Sequence, residues 1–216
     1  MPKLHNMIQR IAEVIGSAVL LVLVSPLFLF TALMVWATDH GPVFYRHERA
    51  GKHGRPFTLL KFRSMRVNDL PLDRPEEIKE NDPIVTPVGR VIRRLKVDEL
   101  PQLINILFGE MTWVGPRPTV LTQVEKYTPF QLRRLDALPG MTGWAQVNGG
   151  SEISWAERIV LDVWYLEHRS MLLDLIIIWR TAIVILFGNK PNMRALNKAL
   201  ELAKKSTNIR YIRCMW

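Results

Sequence analysis

VIGSAVLLVLVSPLFLFTALMVWAT, residues 14–38, carries no charged side chain and is broken near its middle by Ser25-Pro26. A stretch that long is too apolar for an ordinary surface helix. At a rise of about 1.5 Å per residue, a helix of this length reaches across a hydrocarbon core of roughly 30 Å. Pro26 has no N–H and its ring crowds the carbonyl of Val22, so a helix running through it must bend. In lipid the freed backbone group needs a nearby partner, and the Ser25 hydroxyl can serve. Basic residues stand on both sides, with Lys3, His5 and Arg10 before the run and Arg46, Arg49, Lys52 and Arg55 after it. A simple crossing favours positive charge on one side only. The pattern therefore predicts a re-entrant helix that enters and leaves by the same face. A straight single-span anchor is the competing reading. A cleaved signal peptide fits less well, despite the spacing of Val35-Trp36-Ala37, because the apolar region exceeds the usual ~7–15 residues.

The remainder of the 216-residue chain is long enough for one domain with a real core. The net charge of +9 makes anionic headgroups and phosphorylated substrates the expected partners, ahead of nucleic acid. A single cysteine, Cys214, excludes an intramolecular disulfide framework and suits a reducing compartment. The reading divides the chain into a membrane helix (1–40), a catalytic domain (41–187) and a basic tail (188–216). The fold class expected is mainly α with a small β-hairpin. The hairpin is formed by Val43–Arg46 and Phe57–Phe62 around Gly51-Lys52-His53-Gly54. Residues 68–83, rich in proline and charge, read as an exposed loop. Thr86–Leu100 reads as a helix burying Val88, Val91, Ile92 and Leu95. Pro101 then opens a helix over Gln102–Phe108, which Gly109 stops. Ser154–Arg169 is a further helix. Leu172–Phe187, strongly apolar but carrying Asp174 and Arg180, reads as an interfacial helix lying along a membrane. The tail, with Lys190, Arg194, Lys198, Lys204, Lys205, Arg210 and Arg213 against Glu201, reads as a solvated basic surface, with contact to anionic lipid as the second reading.

Candidate chemistry lies between Lys61 and Arg117. Asp98-Glu99 falls where one helix ends and the next begins, and a helix N-terminus favours an ionised carboxylate. Two adjacent carboxylates can hold Mg²⁺ while leaving positions for water and phosphate. Alternatively, one of them attacks phosphorus to form an acyl phosphate. Arg93 and Arg94, about one turn upstream, can face phosphates or simply pair with the acids on the surface. Alternation in Lys61-Phe62-Arg63-Ser64-Met65 sends Lys61 and Arg63 to one face. Gly115-Pro116-Arg117-Pro118 holds one guanidinium between rigid residues, which reduces the entropy lost on clamping a phosphate.

Taken in order, Ser25-Pro26, Lys61-Phe62-Arg63-Ser64-Met65, Arg93, Asp98-Glu99-Leu100, Val114-Gly115-Pro116-Arg117-Pro118 and the run Pro139-Gly140-Met141-Thr142-Gly143-Trp144-Ala145-Gln146-Val147-Asn148-Gly149 closely resemble the bacterial sugar transferase family. These are monotopic polyprenyl-phosphate phosphoglycosyl transferases, and this chain is similar to their small catalytic form. The resemblance implies a bacterial cytoplasmic-membrane enzyme with its catalytic domain facing the cytoplasm. It implies transfer of a sugar-1-phosphate from a UDP-sugar to undecaprenyl phosphate in two ping-pong steps, as the first membrane step of surface-glycan assembly. By position, Asp98 is the nucleophile, Glu99 supports a Mg²⁺ site with it, and Lys61, Arg63, Arg93 and Arg117, with Pro116 and Pro118, serve phosphate binding. Asp162, in Leu161-Asp162-Val163-Trp164-Tyr165, and Asp174 are further candidates, each with a structural alternative. Ser25 and Pro26 set the bend. Self-association through the membrane helix is left open. Two other classes compete: a membrane-tethered adaptor, indifferent to loss of Asp98, and a nucleic-acid binder, for which no recognisable module is present.

Overall fold

The computed structural model describes residues 2–66 and 82–206, so most of the loop expected over 68–83, together with Cys214, lies outside the described residues. Helices predominate, with two small sheets. The chain divides into two compact units. One is Met1–Arg49 with Pro56–Thr112, and the other is Ala50–Arg55 with Trp113–Trp216.

The first unit begins with helices α1 (Pro2–Leu23) and α2 (Ser25–Asp39). They meet at a bend of 64°. Ser25 Oγ donates to the Val22 carbonyl at 2.8 Å, giving a donor to the acceptor that Pro26 strips of its helical N–H. No single described helix is long and apolar enough to cross a membrane, whereas Met7–Leu23 and Ser25–Asp39 together are. Much of the pair's apolar surface is exposed, including Ile15, Val22, Leu23, Leu29, Phe30 and Leu33. The polar face of α1 packs inward: Arg10 Nη1 donates to the Met111 carbonyl at 3.0 Å, and the buried Glu13 accepts from Thr112 Oγ1.

Strands β1 (Phe44–Ala50) and β2 (Pro56–Phe62) form the expected hairpin. Phe62 is buried with Val35 and Ile92; Phe44 stacks on it and Phe28 packs tilted against it. This aromatic cluster seats α2 on the hairpin. Helix α3 (Pro87–Arg94) is shorter than its sequence predicts. It stops because Lys96 adopts a left-handed conformation (φ 57°), and a single 3-10 turn, Val97–Glu99, follows. Val91 and Leu95, expected inside, are therefore exposed, while Ile92 and Gly89 are buried. Pro101 and Gly109 bound helix α4 (Gln102–Phe108) as expected, the glycine supplying the left-handed C-cap. Buried Asn105 joins α4 to β2, accepting from Leu60 N at 3.0 Å and donating to the Thr58 carbonyl at 2.8 Å.

In the second unit, β3 (Thr112–Val114) pairs with β4 (Gly140–Thr142), a sheet too short to read from alternation. Short helices α5 (Leu121–Val124), α6 (Pro129–Leu132) and α7 (Trp144–Val147) lead to α8 (Trp155–His168). A capping box between Ser154 and Glu157 starts α8, which is buried on most sides. Helix α9 (Met171–Phe187) buries Asp174 and Ile177 and exposes Leu172, Leu175, Trp179, Leu186 and Phe187. The tail is not merely a solvated basic segment. Helix α10 (Met193–Ser206) buries Leu196, Ala199 and Ala203 against Val160, Leu161 and Trp164 of α8, and leaves Arg194, Lys198 and Lys204 exposed.

Candidate active site

Three local devices build the site in the first unit. At Gly89, an added Cβ would lie 2.0 Å from the Ser64 carbonyl oxygen, so only glycine lets α3 approach the chain leaving β2 this closely. That approach brings Arg93 Nε to 2.7 Å from Ser64 Oγ, to which it donates. Left-handed Lys96 then redirects the chain, so that Asp98 and Glu99 turn inward; both are buried. Finally, Lys61 at the end of β2 reaches Glu99, with Nζ 2.6 Å from Oε1. Lys61, Arg93, Asp98 and Glu99, which the sequence proposed on separate segments, thus fall within one unit.

The electrostatics depart from the sequence expectation. Asp98 has its pKa raised above the ordinary aspartate value, first by burial and then by the like charge of Glu99, with Lys61, Lys96 and Arg93 drawing it back. The N-terminus of a seven-residue helix does not outweigh that burial. Asp98 Oδ1 is buried without a hydrogen-bond partner. Leaving an acceptor unsatisfied costs about 1–3 kcal/mol, so the fold retains this oxygen against its own stability. On β1, Tyr45 lies within electrostatic range of Arg93; burial raises its phenol pKa, opposed by Arg49 and Arg93. The sequence reading passed over Tyr45, whose only signal was its place opposite the KFRSM strand.

Arg63 is placed otherwise than alternation suggested. It lies beyond the end of β2 and is 3% exposed. Its guanidinium donates to the Pro42 carbonyl at 2.6 Å, to the Met65 carbonyl at 3.0 Å and, through both terminal nitrogens, to the Asp39 carboxylate at the end of α2. Those bonds clamp the end of α2 to the chain leaving β2. Asp39 would be unfavourable at a helix C-terminus without such a cation.

The second unit holds the remaining candidates. The Gly115–Pro118 turn is pinned by its backbone: Gly115 N donates to the Thr142 carbonyl and Gly140 N to the Pro116 carbonyl, both at 2.9 Å. A Cβ on Gly140 would meet Gly115 N at 2.0 Å, which accounts for the glycines in both motifs. Pro116 and Pro118 thereby act as props for the half-buried Arg117. Asp162 is buried and pairs with Arg134, Oδ2 to Nη2 at 2.7 Å; burial raises its pKa and Arg134 opposes the shift. Asp174 accepts from the Tyr165 hydroxyl at 2.6 Å, tying α9 to α8, while Ser170 caps α9. Burial and this hydrogen bond push the Tyr165 phenol above its ordinary range. Ser170, not Asp174, supplies the N-cap of α9.

Among the described residues no group of three or more His, Cys, Asp or Glu side chains is arranged to hold a metal. The pair Asp98 and Glu99 offers hard oxygen donors, one of them unpartnered, a donor set that would suit Mg²⁺.

The first unit thus combines a bent helix pair long and apolar enough to cross a membrane with buried adjacent carboxylates near Lys61 and Arg93. The bacterial sugar transferase family profile matches residues 4–188, and the chain belongs to that family. It is 41% identical over 193 residues to the exopolysaccharide production protein ExoY of Rhizobium meliloti, covering 82% of this chain and 84% of the relative. It is 38% identical over 193 residues to the undecaprenyl-phosphate galactose phosphotransferase of Salmonella typhimurium, covering 83% of this chain and 40% of that protein. It is 41% identical over 187 residues to the UDP-glucose:undecaprenyl-phosphate glucose-1-phosphate transferase of Klebsiella pneumoniae, covering 82% of this chain and 40% of that protein.

Proposed function

We propose that the protein transfers a sugar-1-phosphate from a UDP-sugar to undecaprenyl phosphate, through a covalent intermediate on Asp98. The observation that carries this reading is the unpartnered carboxylate oxygen of Asp98, buried beside the Lys61–Glu99 pair and Arg93 in a chain of this family. In the first step that oxygen attacks the sugar-bearing phosphorus. The bond from that phosphorus to the bridging oxygen breaks, and UMP leaves with the bond's electron pair. In the second step a phosphate oxygen of undecaprenyl phosphate attacks the same phosphorus. Undecaprenyl-diphosphate-sugar forms and the Asp98 carboxylate is restored. Burial serves the chemistry because a carboxylate stripped of hydrogen bonds is more basic and more nucleophilic than a solvated one. Lys61 and Arg93 offset the donor's diphosphate charge. Asp98 and Glu99 would hold a Mg²⁺ ion, whose charge would help neutralise the diphosphate.

The α1–α2 pair fits re-entrant insertion in the bacterial cytoplasmic membrane, with the catalytic unit on the cytoplasmic side. The apolar face of α9 fits an interfacial position, and the basic surface of α10 fits anionic lipid. The relatives' names differ in the sugar they specify, galactose in one and glucose in another, so the donor is left to experiment. The test is UMP release by detergent-purified protein with Mg²⁺ over a panel of UDP-sugars, with and without undecaprenyl phosphate. Continuous release from one donor only when lipid is present is expected. A single stoichiometric release without lipid, absent in Asp98→Asn, identifies the covalent step. Undiminished turnover by Asp98→Asn overturns it.

A further inference from the structure

Arg134 is 1% exposed and carries a full charge, in a part of the second unit that none of the sequence motifs reaches. Burying an ion pair gains little stability over packing apolar side chains in the same volume, so its placement calls for another reason. The guanidinium has three directed contacts. Nη2 donates to Asp162 Oδ2 at 2.7 Å and to the backbone carbonyl of Arg117 at 2.9 Å, and Nη1 donates to the Tyr127 hydroxyl at 2.9 Å. The indole of Trp155 lies under the cation, 4.9 Å from its centre, which fixes the plane of the fork.

Tyr127 extends this network to the other side of the same turn. Its hydroxyl accepts from Arg134 and from Trp155 Nε1 at 3.2 Å, and donates to Thr119 Oγ1 at 3.3 Å. One donor and two acceptor sites are therefore all in use. The turn is gripped at Arg117 and at Thr119, on either side of Pro118. Thr119 is itself buried, and its carbonyl accepts from Ala50 N at 2.8 Å. With its carbonyl held by Arg134 and a proline following it, Arg117 keeps little backbone freedom.

We propose that Arg134, oriented by Asp162 and Tyr127, is a positioning residue that fixes the backbone of Arg117 so that its side chain is held ready to bind a phosphate. The inference rests on the reading of Arg117 as a phosphate ligand. It assigns a role in activity to Arg134 and Tyr127. It also gives Asp162 a definite role, because the carboxylate orients the guanidinium that holds the turn. A lysine at 134 would keep the charge but lose the fork that reaches Asp162, Arg117 and Tyr127 together.

The test is a double-mutant cycle read by calorimetric titration of UDP into the full-length protein in detergent. Arg117→Ala is expected to weaken UDP binding about tenfold or more, as loss of a charge-assisted contact does. Arg134→Lys and the milder Tyr127→Phe should each weaken it about two- to tenfold, the range for one hydrogen bond. Neither should weaken it further in the Arg117→Ala background, because their effect passes through Arg117. Equal losses in both backgrounds would make Arg134 a general structural residue and overturn the proposal. So would unchanged binding in both Arg134→Lys and Tyr127→Phe while Arg117→Ala is impaired. Wild-type binding by Arg117→Ala would instead remove the phosphate-ligand reading beneath it. Tyr127→Phe deletes a single oxygen, so it keeps the test informative should Arg134→Lys fail to fold.

Discussion

At the scale of single residues, Asp98 is a carboxylate that the fold buries at a cost to its own stability. Its folded pKa is raised, so between the unfolded and folded values the folded state holds a proton that the unfolded state has released. Stability then falls as pH rises through that window. At neutral pH the ionised group is therefore carried at a cost, and Asp98→Asn should lose all UMP release while melting no lower than wild type. Thermal unfolding followed by circular dichroism at pH 7 checks this, and a clear drop in Tm would mean that Asp98 is structural. The neighbours yield opposite shifts in pH dependence. Lys96 pulls the Asp98 pKa down and Glu99 pushes it up. Lys96→Gln should therefore move the acid limb of single-turnover UMP release to higher pH, and Glu99→Gln should move it to lower pH. Shifts of the same sign in both variants would show that the limb does not report Asp98. The candidates at 61, 93, 98 and 99 stood out in the sequence because they are the residue types that phosphoryl chemistry uses. The raised pKa was not, since it depends on a burial that the left-handed Lys96 creates, and nothing in a lysine codon announces φ above zero.

Secondary elements were legible wherever a local rule decides them. Proline at 26 and at 101, glycine at 109 and the Ser154/Glu157 box each mark a break, start or stop that the fold respects. Errors came where tertiary approach decides. Helix α3 ends early because the chain must turn Asp98 inward, which exposes Val91 and Leu95 against their periodicity. The β3–β4 pair is three residues long on each side, and its signature is the mutual exclusion of side chains at Gly115 and Gly140 rather than alternation. Gly140→Ala should therefore sharply reduce folded yield, since the added methyl meets backbone that cannot yield. The bend between α1 and α2 has a testable origin in Pro26, whose effect Ser25 complements with its bond to Val22. With Cys214→Ser as background, single cysteines at Gln9 and His47 should both resist an impermeant thiol reagent in intact cells. Adding Pro26→Ala should straighten the pair and make one of them reactive. Continued protection of both positions would show that Pro26 does not set the bend.

Taken as a whole molecule, the chain combines a charge of +9 with extensive apolar exposure, and these two features favour different modes of membrane attachment. Charge alone attracts a protein to anionic headgroups and is screened by salt. Apolar insertion is insensitive to salt, at about 25 cal/mol for each Å² buried. Within the first unit the α1–α2 pair exposes apolar side chains around its bend, and within the second α9 exposes Leu172, Leu175, Trp179, Leu186 and Phe187. The sequence disclosed both stretches through their length and composition. It did not disclose the packed stripe of α10, because Leu196, Ala199 and Ala203 are too few and too small to stand out among the lysines. With an apolar stripe docked on α8, that helix presents charge rather than oil, so the basic surface should tune attachment without providing it. Flotation with vesicles separates the two contributions. Binding should persist at about 1 M NaCl, where the Debye length is only about 3 Å, and should be nearly the same on vesicles with and without anionic lipid. Charge reversal at Arg194 and Lys198 should slow association with anionic vesicles at low salt but leave the high-salt fraction unchanged. Release by salt would mean that the bent helix pair does not insert, because a buried apolar hairpin has no counterion to exchange.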